Sequence, residues 1–437
     1  MADTDIPTTP PSFADLVRAS AAIGCTSFGG PAGQISLMHA EFVEKRRWID
    51  GDAFLHALNF CHLLPGPEAQ QLATYIGWRL HGVRGGLAAG GLFVLPGAIV
   101  MLALSMLYVA ATGLGWFAAI FLGVKAAVLA IVSQALVRVA GRALTTDFKR
   151  GLAIVAFVAL TVLRLPFPVV VIGAGAIGWI VGRSRPEWLG AHAAGNGDAG
   201  PRPRLTATLR TVAIGMALWA APLLLVLATL GPDHLLWQAG VFFSKLAVVT
   251  FGGAYAVLAY MAQAAVSTHG WLTPEQMADG LGLAETTPGP LIMVTQFVGY
   301  LAGVDAPAPF APMVAGTLAA ALVTWVTFVP CFLWIFAFAP WIDRLRRIEA
   351  LAAALAAITA AVVGVIANLA LWFAIHVLFV RSVVVGPLGI EMPVWSSIDW
   401  RVAGIAIVAA VLLLVLNRSV WLVLGVSAGL GLATLVA

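Results

Sequence analysis

Residues 28–67 of this chain recur, without a gap, at residues 251–290. Phe28-Gly29-Gly30 matches Phe251-Gly252-Gly253, Trp48 matches Trp271, Asp52 matches Glu275, and Pro65-Gly66-Pro67 matches Pro288-Gly289-Pro290. Three motifs at one fixed shift mark a duplicated structural unit, and a duplication of this size decides the architecture before any single helix is assigned.

The repeat is set in strongly apolar sequence. The 437 residues are 61% hydrophobic and 10% charged, with a mean hydropathy of +0.97. A soluble domain carries about 25% charged residues, so a soluble fold is excluded. No Asp, Glu, Lys or Arg falls between Arg84 and Lys125, Arg210 and Asp233, Asp305 and Asp343, or Glu349 and Arg381. A helix needs about 20 apolar residues to cross a bilayer, so each gap holds at least one crossing. The expected fold class is an all-α polytopic membrane protein embedded in lipid. The apolar segments are 13–40, 52–80, 85–111, 115–138, 150–164 and 167–183, then 209–230, then 237–265, 275–302, 308–340, 349–380, 400–417 and 419–437.

This gives a tail at 1–12, a first repeat at 13–183, a polar Gly/Pro/Arg linker at 184–208, a connecting helix at 209–230 and a second repeat at 237–437. One extra helix between two even-numbered units inverts the second unit, a recurrent transporter plan that places the binding site at the midplane. The lysines and arginines cluster in loops that put the N-terminus inside and the C-terminus outside. Treating the FGG and PGP segments as re-entrant hairpins moves Lys45, Arg46 and Arg47 inside and improves that bias. The net charge of +4 is therefore loop charge that sets orientation. Basic runs interleaved with aromatics are missing, so no nucleic-acid partner is expected. Cys25, Cys61 and Cys331 are too few and too scattered for a disulfide framework or a zinc site, and read as small buried apolar side chains. No metal or other cofactor is expected. The acidic, Pro-rich start is unlike a cleaved signal peptide, so the mature chain is expected to begin near Met1.

The chemistry is expected where the helices break. Proline inside a helix removes a hydrogen bond and clashes with the preceding turn, but suits the first position of a new helix. Half-helices starting at Pro31 and Pro67 would leave free N–H groups and partial positive charge at membrane depth, which attract anions. Irregular backbone is tolerated there only when buried in protein or lining a wet cavity. Four breaks in two matched pairs therefore predict one central site for an anion. Its expected contacts are Ser27, Phe28, Gly29, Gly30, Gln34, Pro65, Gly66, Pro67, Gln70, Thr250, Gly252, Gly253, Thr287, Gly289 and Gln296. Lys245, in the segment of the second FGG, is the expected fixed positive charge, and Lys125 the weaker candidate. His62 and Glu285, each three residues ahead of a PGP, are the expected proton carriers.

The bland alternatives differ in weight. Gly and Pro can simply kink and pack membrane helices, but matched breaks in both halves favour a site. Gly173-Ala174-Gly175-Ala176-Ile177-Gly178 fits a dinucleotide fingerprint, yet no βαβ helix follows, so it reads as small-residue helix packing. No HExxH, GxSxG or Cys/His cluster supports an intramembrane enzyme.

These motifs resemble the chromate ion transporter family in its long, two-repeat form. The resemblance is carried by FGGPAGQISLMHAEFVEKRRWID at 28–50, LLPGP at 63–67 and LPG at 95–97, and by TFGGAY at 250–255, WLTPEQ at 271–276 and TTPGP at 286–290. It implies efflux of chromate across a bacterial inner membrane, with sulfate as the mimic, linked to protons or membrane potential. It implies no enzyme activity, and leaves room for an oxyanion channel or a homodimer. Family members commonly carry Gln where this chain has His62 and Glu285.

Overall fold

The computed structural model describes residues 11–28, 30–190, 203–251, 254–345, 348–386 and 390–435. Among these residues the fold is all-α apart from one short antiparallel hairpin, β1 (Ser382–Val385) with β2 (Ile390–Pro393), in a loop the sequence did not mark as structured. Among the described residues, six helices are long and apolar enough to cross a membrane: α4 (Glu68–Ala111), α5 (Gly115–Ala143), α7 (Phe167–Ser184), α8 (Leu205–Leu230), α13 (Pro312–Phe338) and α15 (Glu349–Leu378). The chain is a multi-pass membrane protein.

Both copies of the repeat follow the same order. In the first, α1 (Phe13–Thr26) stops, α2 (Gly30–His39) runs into a π turn (Ala40–Lys45), α3 (Gly51–Cys61) follows, and the PGP turn leads into α4. In the second, α9 (Leu235–Val249) stops, α10 (Ala254–Gln263) runs into a π turn (Ala264–Thr268), α11 (Pro274–Thr286) follows, and PGP leads through a 3-10 turn into α12 (Val294–Asp305). The duplication thus extends to an irregular turn at matching positions. The helices do break at FGG and PGP.

The chain divides into two compact units, each built from both halves of the sequence: residues 1–104, 194–254 and 285–347, and residues 105–193, 255–284 and 348–437. In the first unit, α4 is a helical hairpin that reverses at His81–Gly82. Gly77 then lies against Gly85, and Gly90 against Thr74 and Gln70. Three ring contacts fix the neighbours: Phe13 with His81 at 5.7 Å, His39 with Phe54 at 5.1 Å, and Phe60 with Tyr75 at 6.0 Å. So α1, α2, α3 and the first limb of α4 run side by side, and their core of Met38, Phe54, Phe60 and Ile76 packs on Ile335 and Ala339 near the end of α13. The 11 residues of α3 reach about 16 Å, too short for a core of about 30 Å. The apolar stretches 13–40 and 52–80 are accordingly paired half-length helices, and the turn bearing Lys45, Arg46 and Arg47 points to the same end as His81. This is the hairpin geometry that the positive charges favoured.

The second unit is held by backbone-close helix crossings. α7 meets α15 where a Cβ on Gly178 would lie 2.5 Å from the Ala357 methyl, so this glycine run packs helices, as small residues do in membranes. α17 (Val420–Ala433) meets α5 through Gly123 and Gly431 in the same way. α6 (Asp147–Thr161) packs on α15 at Gly364, and α16 (Trp400–Ala410) lies on α5 through Ala126 and Val402. Side-chain caps start the shorter helices: Thr146 accepts from Lys149 N–H, Asp399 from Arg401 and Val402 N–H, and Ser419 from Leu422 N–H.

Candidate functional site: a glycine–proline clasp

Each PGP turn is held by the residue that precedes the other copy's FGG. Gly66 N–H donates to the Thr250 carbonyl at 2.8 Å, and Gly289 N–H donates to the Ser27 carbonyl at 3.0 Å, with Ser27 Oγ at 3.2 Å. All four residues belong to the first unit and are buried. Both glycines have positive φ, +121° at Gly66 and +88° at Gly289, where any Cβ would be strained. Each turn also abuts a long helix near a proline: a Cβ on Gly66 would lie 2.8 Å from Cys331 Sγ, next to Pro330 of α13, and Gly289 lies against Gly97, next to Pro96 of α4. The clasp is thus built twice, on matching parts of the two repeats.

Buried amides extend it. Gln34 Nε2 donates to the Gly289 carbonyl at 2.5 Å, so both backbone groups of Gly289 are satisfied by the first repeat. Gln71 Nε2 donates to the Pro65 carbonyl at 2.7 Å, and the Pro67 carbonyl accepts from Gln71 N–H. Gln70 Nε2 donates to Thr74 Oγ1 at 3.0 Å, and Gln296 Nε2 donates to the Ala98 carbonyl at 3.0 Å. The Oε1 atoms of Gln70, Gln71 and Gln296 are buried and accept no hydrogen bond. Helix geometry leaves the first N–H groups of α4, those of Glu68, Ala69 and Gln70, without partners inside the helix. Buried amides and helix-start N–H groups therefore gather here beside the buried Glu68 carboxylate.

Several expectations need refining. The amides of Gly66 and Gly289 are engaged by carbonyls, so the N–H groups left for an anion are those of the helix starts beyond them. Gly30 opens α2 with φ +69°, and Phe28 is half-buried with its N–H donating to Thr26. Thr287 is buried beside the second PGP. Gly29, Gly252 and Gly253 lie outside the described residues. Lys245 is exposed on α9, whose buried face carries Phe243 and Leu246, and takes no part in the clasp's hydrogen bonds. His62 is exposed at the end of α3, whereas Glu285 is buried in the last turn of α11, so the two proton candidates occupy unlike environments. Cys61 and Cys331 are buried as expected, but Cys25 is exposed.

In the second unit, Lys125 sits 3.8 Å from Asp279 Oδ1, and Tyr108 OH donates to Asp279 Oδ2 at 2.7 Å. Asp279 and Tyr108 were not singled out in the sequence. An aspartate amid the apolar residues of 277–284 was the available signal, since carboxylates at membrane depth are costly and usually functional.

Paired half-length helices and a clasp of buried turns and amides among long apolar helices fit a polytopic membrane transporter. The chain belongs to the chromate transporter family, whose pattern matches residues 14–179 and 237–432. It is similar to a chromate transport protein of Cupriavidus metallidurans, 29% identical over 84% of this chain and 83% of that protein. A chromate transport protein of Pseudomonas aeruginosa is 30% identical over 84% and 82% of the two chains. An uncharacterized transporter of Methanocaldococcus jannaschii is 23% identical over 77% and 78%. No solved structure matches the chain.

Proposed function

We propose that the chain exports an oxyanion, chromate first and sulfate as its analogue, across a bacterial inner membrane by alternating access. The reading rests above all on the clasp, in which turns from each repeat are closed by the other through buried backbone and amide groups. Partial positive charge at helix starts binds a dianion without the strong retention a buried lysine would impose. The relatives' names support chromate as the anion. The hairpin end carrying Lys45, Arg46 and Arg47 faces the cytoplasm, as does the N-terminus, and the second repeat is inverted so that the C-terminus is periplasmic. Membrane potential favours export: moving a dianion outward gains about 4.6 kcal/mol per 100 mV, twice the value for one charge.

Uptake into inverted vesicles tests this. Chromate and sulfate should accumulate with saturating rates when the interior is made positive, and phosphate should be slower. A non-saturating flux that never exceeds electrochemical equilibrium would identify a channel. Absence of movement by all three anions would reject the oxyanion assignment.

A further inference from the structure

In the second unit, α11 is pinned by an ionic cluster separate from the clasp. Asp279 is 4% exposed. One carboxylate oxygen accepts from Tyr108 at the end of α4, and the other accepts no hydrogen bond. The nearest cation, Lys125 Nζ of α5, stands 3.8 Å away, beyond hydrogen-bonding distance. The spacing is set by tight packing of the two helices: a Cβ on Gly282, one turn from Asp279, would lie 2.2 Å from Val124 Cγ1. Lys125 also lines a cavity of about 210 Å³ with Glu275, His376 and Asp399. The lysine therefore joins a space large enough for several waters to an incompletely satisfied buried carboxylate.

We infer that Asp279 is a proton-binding site of this transporter, reached through the Lys125 cavity; the inference rests on the transport reading above. The other groups around it are accounted for. Tyr108 donates to the carboxylate, and Glu275 lies one turn back on α11. Across the cavity His376 pairs with Glu391 at 3.2 Å, and Asp399 caps α16. With Asp279 ionised, the pair with Lys125 is neutral. A proton on the free oxygen leaves Lys125 as net positive charge and loosens the hold on α11, the helix that leads into the second PGP turn. Added positive charge lowers the cost of an anion in the protein, so proton and oxyanion binding reinforce each other.

The test uses the full chain in proteoliposomes with sulfate, whose charge stays constant across the pH range. Wild type should bind sulfate more tightly as the cavity side is acidified. Asp279→Asn should abolish that dependence, and Asp279→Glu should keep it. The double variant Lys125→Met with Asp279→Asn removes both charges, which guards against misfolding from a lone buried charge, and should also be pH-independent. A purely structural ion pair would instead leave the pH dependence intact in the double variant. Infrared difference spectra on acidification supply a readout free of transport: a protonated-carboxyl band present in wild type and missing in Asp279→Asn. If sulfate moves but the band and the pH profile survive in Asp279→Asn, the proton site is wrong and transport stands. If sulfate never moves yet the band depends on Asp279, the proton site stands and the transport reading falls.

Discussion

Gly97→Val should remove most oxyanion transport from a chain that still reaches the membrane, whereas Gly91→Val, on the same limb of α4, should not. A Cβ on Gly97 would lie 2.4 Å from the Pro288 carbonyl, while one on Gly91 meets nothing within 4 Å. The obstacle at Gly97 is backbone, which cannot rotate aside as a side chain would. Either α4 or the PGP turn must move, and the turn is tied to Ser27 and Gln34 by its own hydrogen bonds. Overpacking of this kind costs about 1–3 kcal/mol. At about 1.4 kcal/mol per tenfold, the upper end is a loss of roughly 100-fold. Gly66→Leu and Gly289→Leu should behave similarly, because both positions have positive φ. Initial rates of uptake into inverted vesicles, divided by the amount of inserted protein, are the measurement. A Gly97→Val protein with wild-type rates would mean that contact between the PGP turn and α4 is dispensable.

Gln34→Glu should be more damaging than Gln34→Leu, and its defect should depend on pH. Gln34 is 1% exposed, and its amide nitrogen donates to the Gly289 carbonyl. Leucine leaves that carbonyl without a partner, a loss of about 1–3 kcal/mol. An ionised glutamate adds a buried charge aimed at a carbonyl oxygen, an acceptor facing an acceptor. Burial favours the neutral acid, which can donate a proton to the carbonyl, so the folded-state pKa of the introduced carboxyl lies above its unfolded value. The clasp should hold at pH below the folded value and fail as pH rises through it. Transport by Gln34→Glu should therefore recover on acidification, while Gln34→Leu stays uniformly low. Equal, pH-independent rates in the two variants would show that the amide is not a working part of the clasp.

The positions of the breaks were legible because Gly-Gly and Pro-Gly-Pro interrupt apolar sequence for reasons that are local to the backbone. The identity of each turn's partner was not. Gly289 reaches Ser27 across 262 residues, a pairing that tertiary packing alone selects. The reversal at His81–Gly82 was legible too, because Arg79, His81 and Arg84 separate the apolar segments 52–80 and 85–111. Lys245 was preferred to Lys125 only for sharing the segment of the second FGG, because helices that are apolar all round carry no periodicity to tell a lipid face from a buried one. Only the packing separates them, with Lys245 exposed on α9 and Lys125 facing Asp279. Asp279 escaped notice because it stands nine residues before the second PGP and resembles the polar start of α11.

Thiol labelling at the clasp bears most directly on whether the two repeats enclose the anion path. In a chain whose three cysteines are replaced, Ser27→Cys and Gln70→Cys, introduced singly, should react with a small anionic thiol reagent, and saturating sulfate or chromate should slow both reactions. Labelling at either position that is indifferent to both oxyanions, or complete inertness of both in a transporting protein, would place the path somewhere other than between the glycine–proline turns.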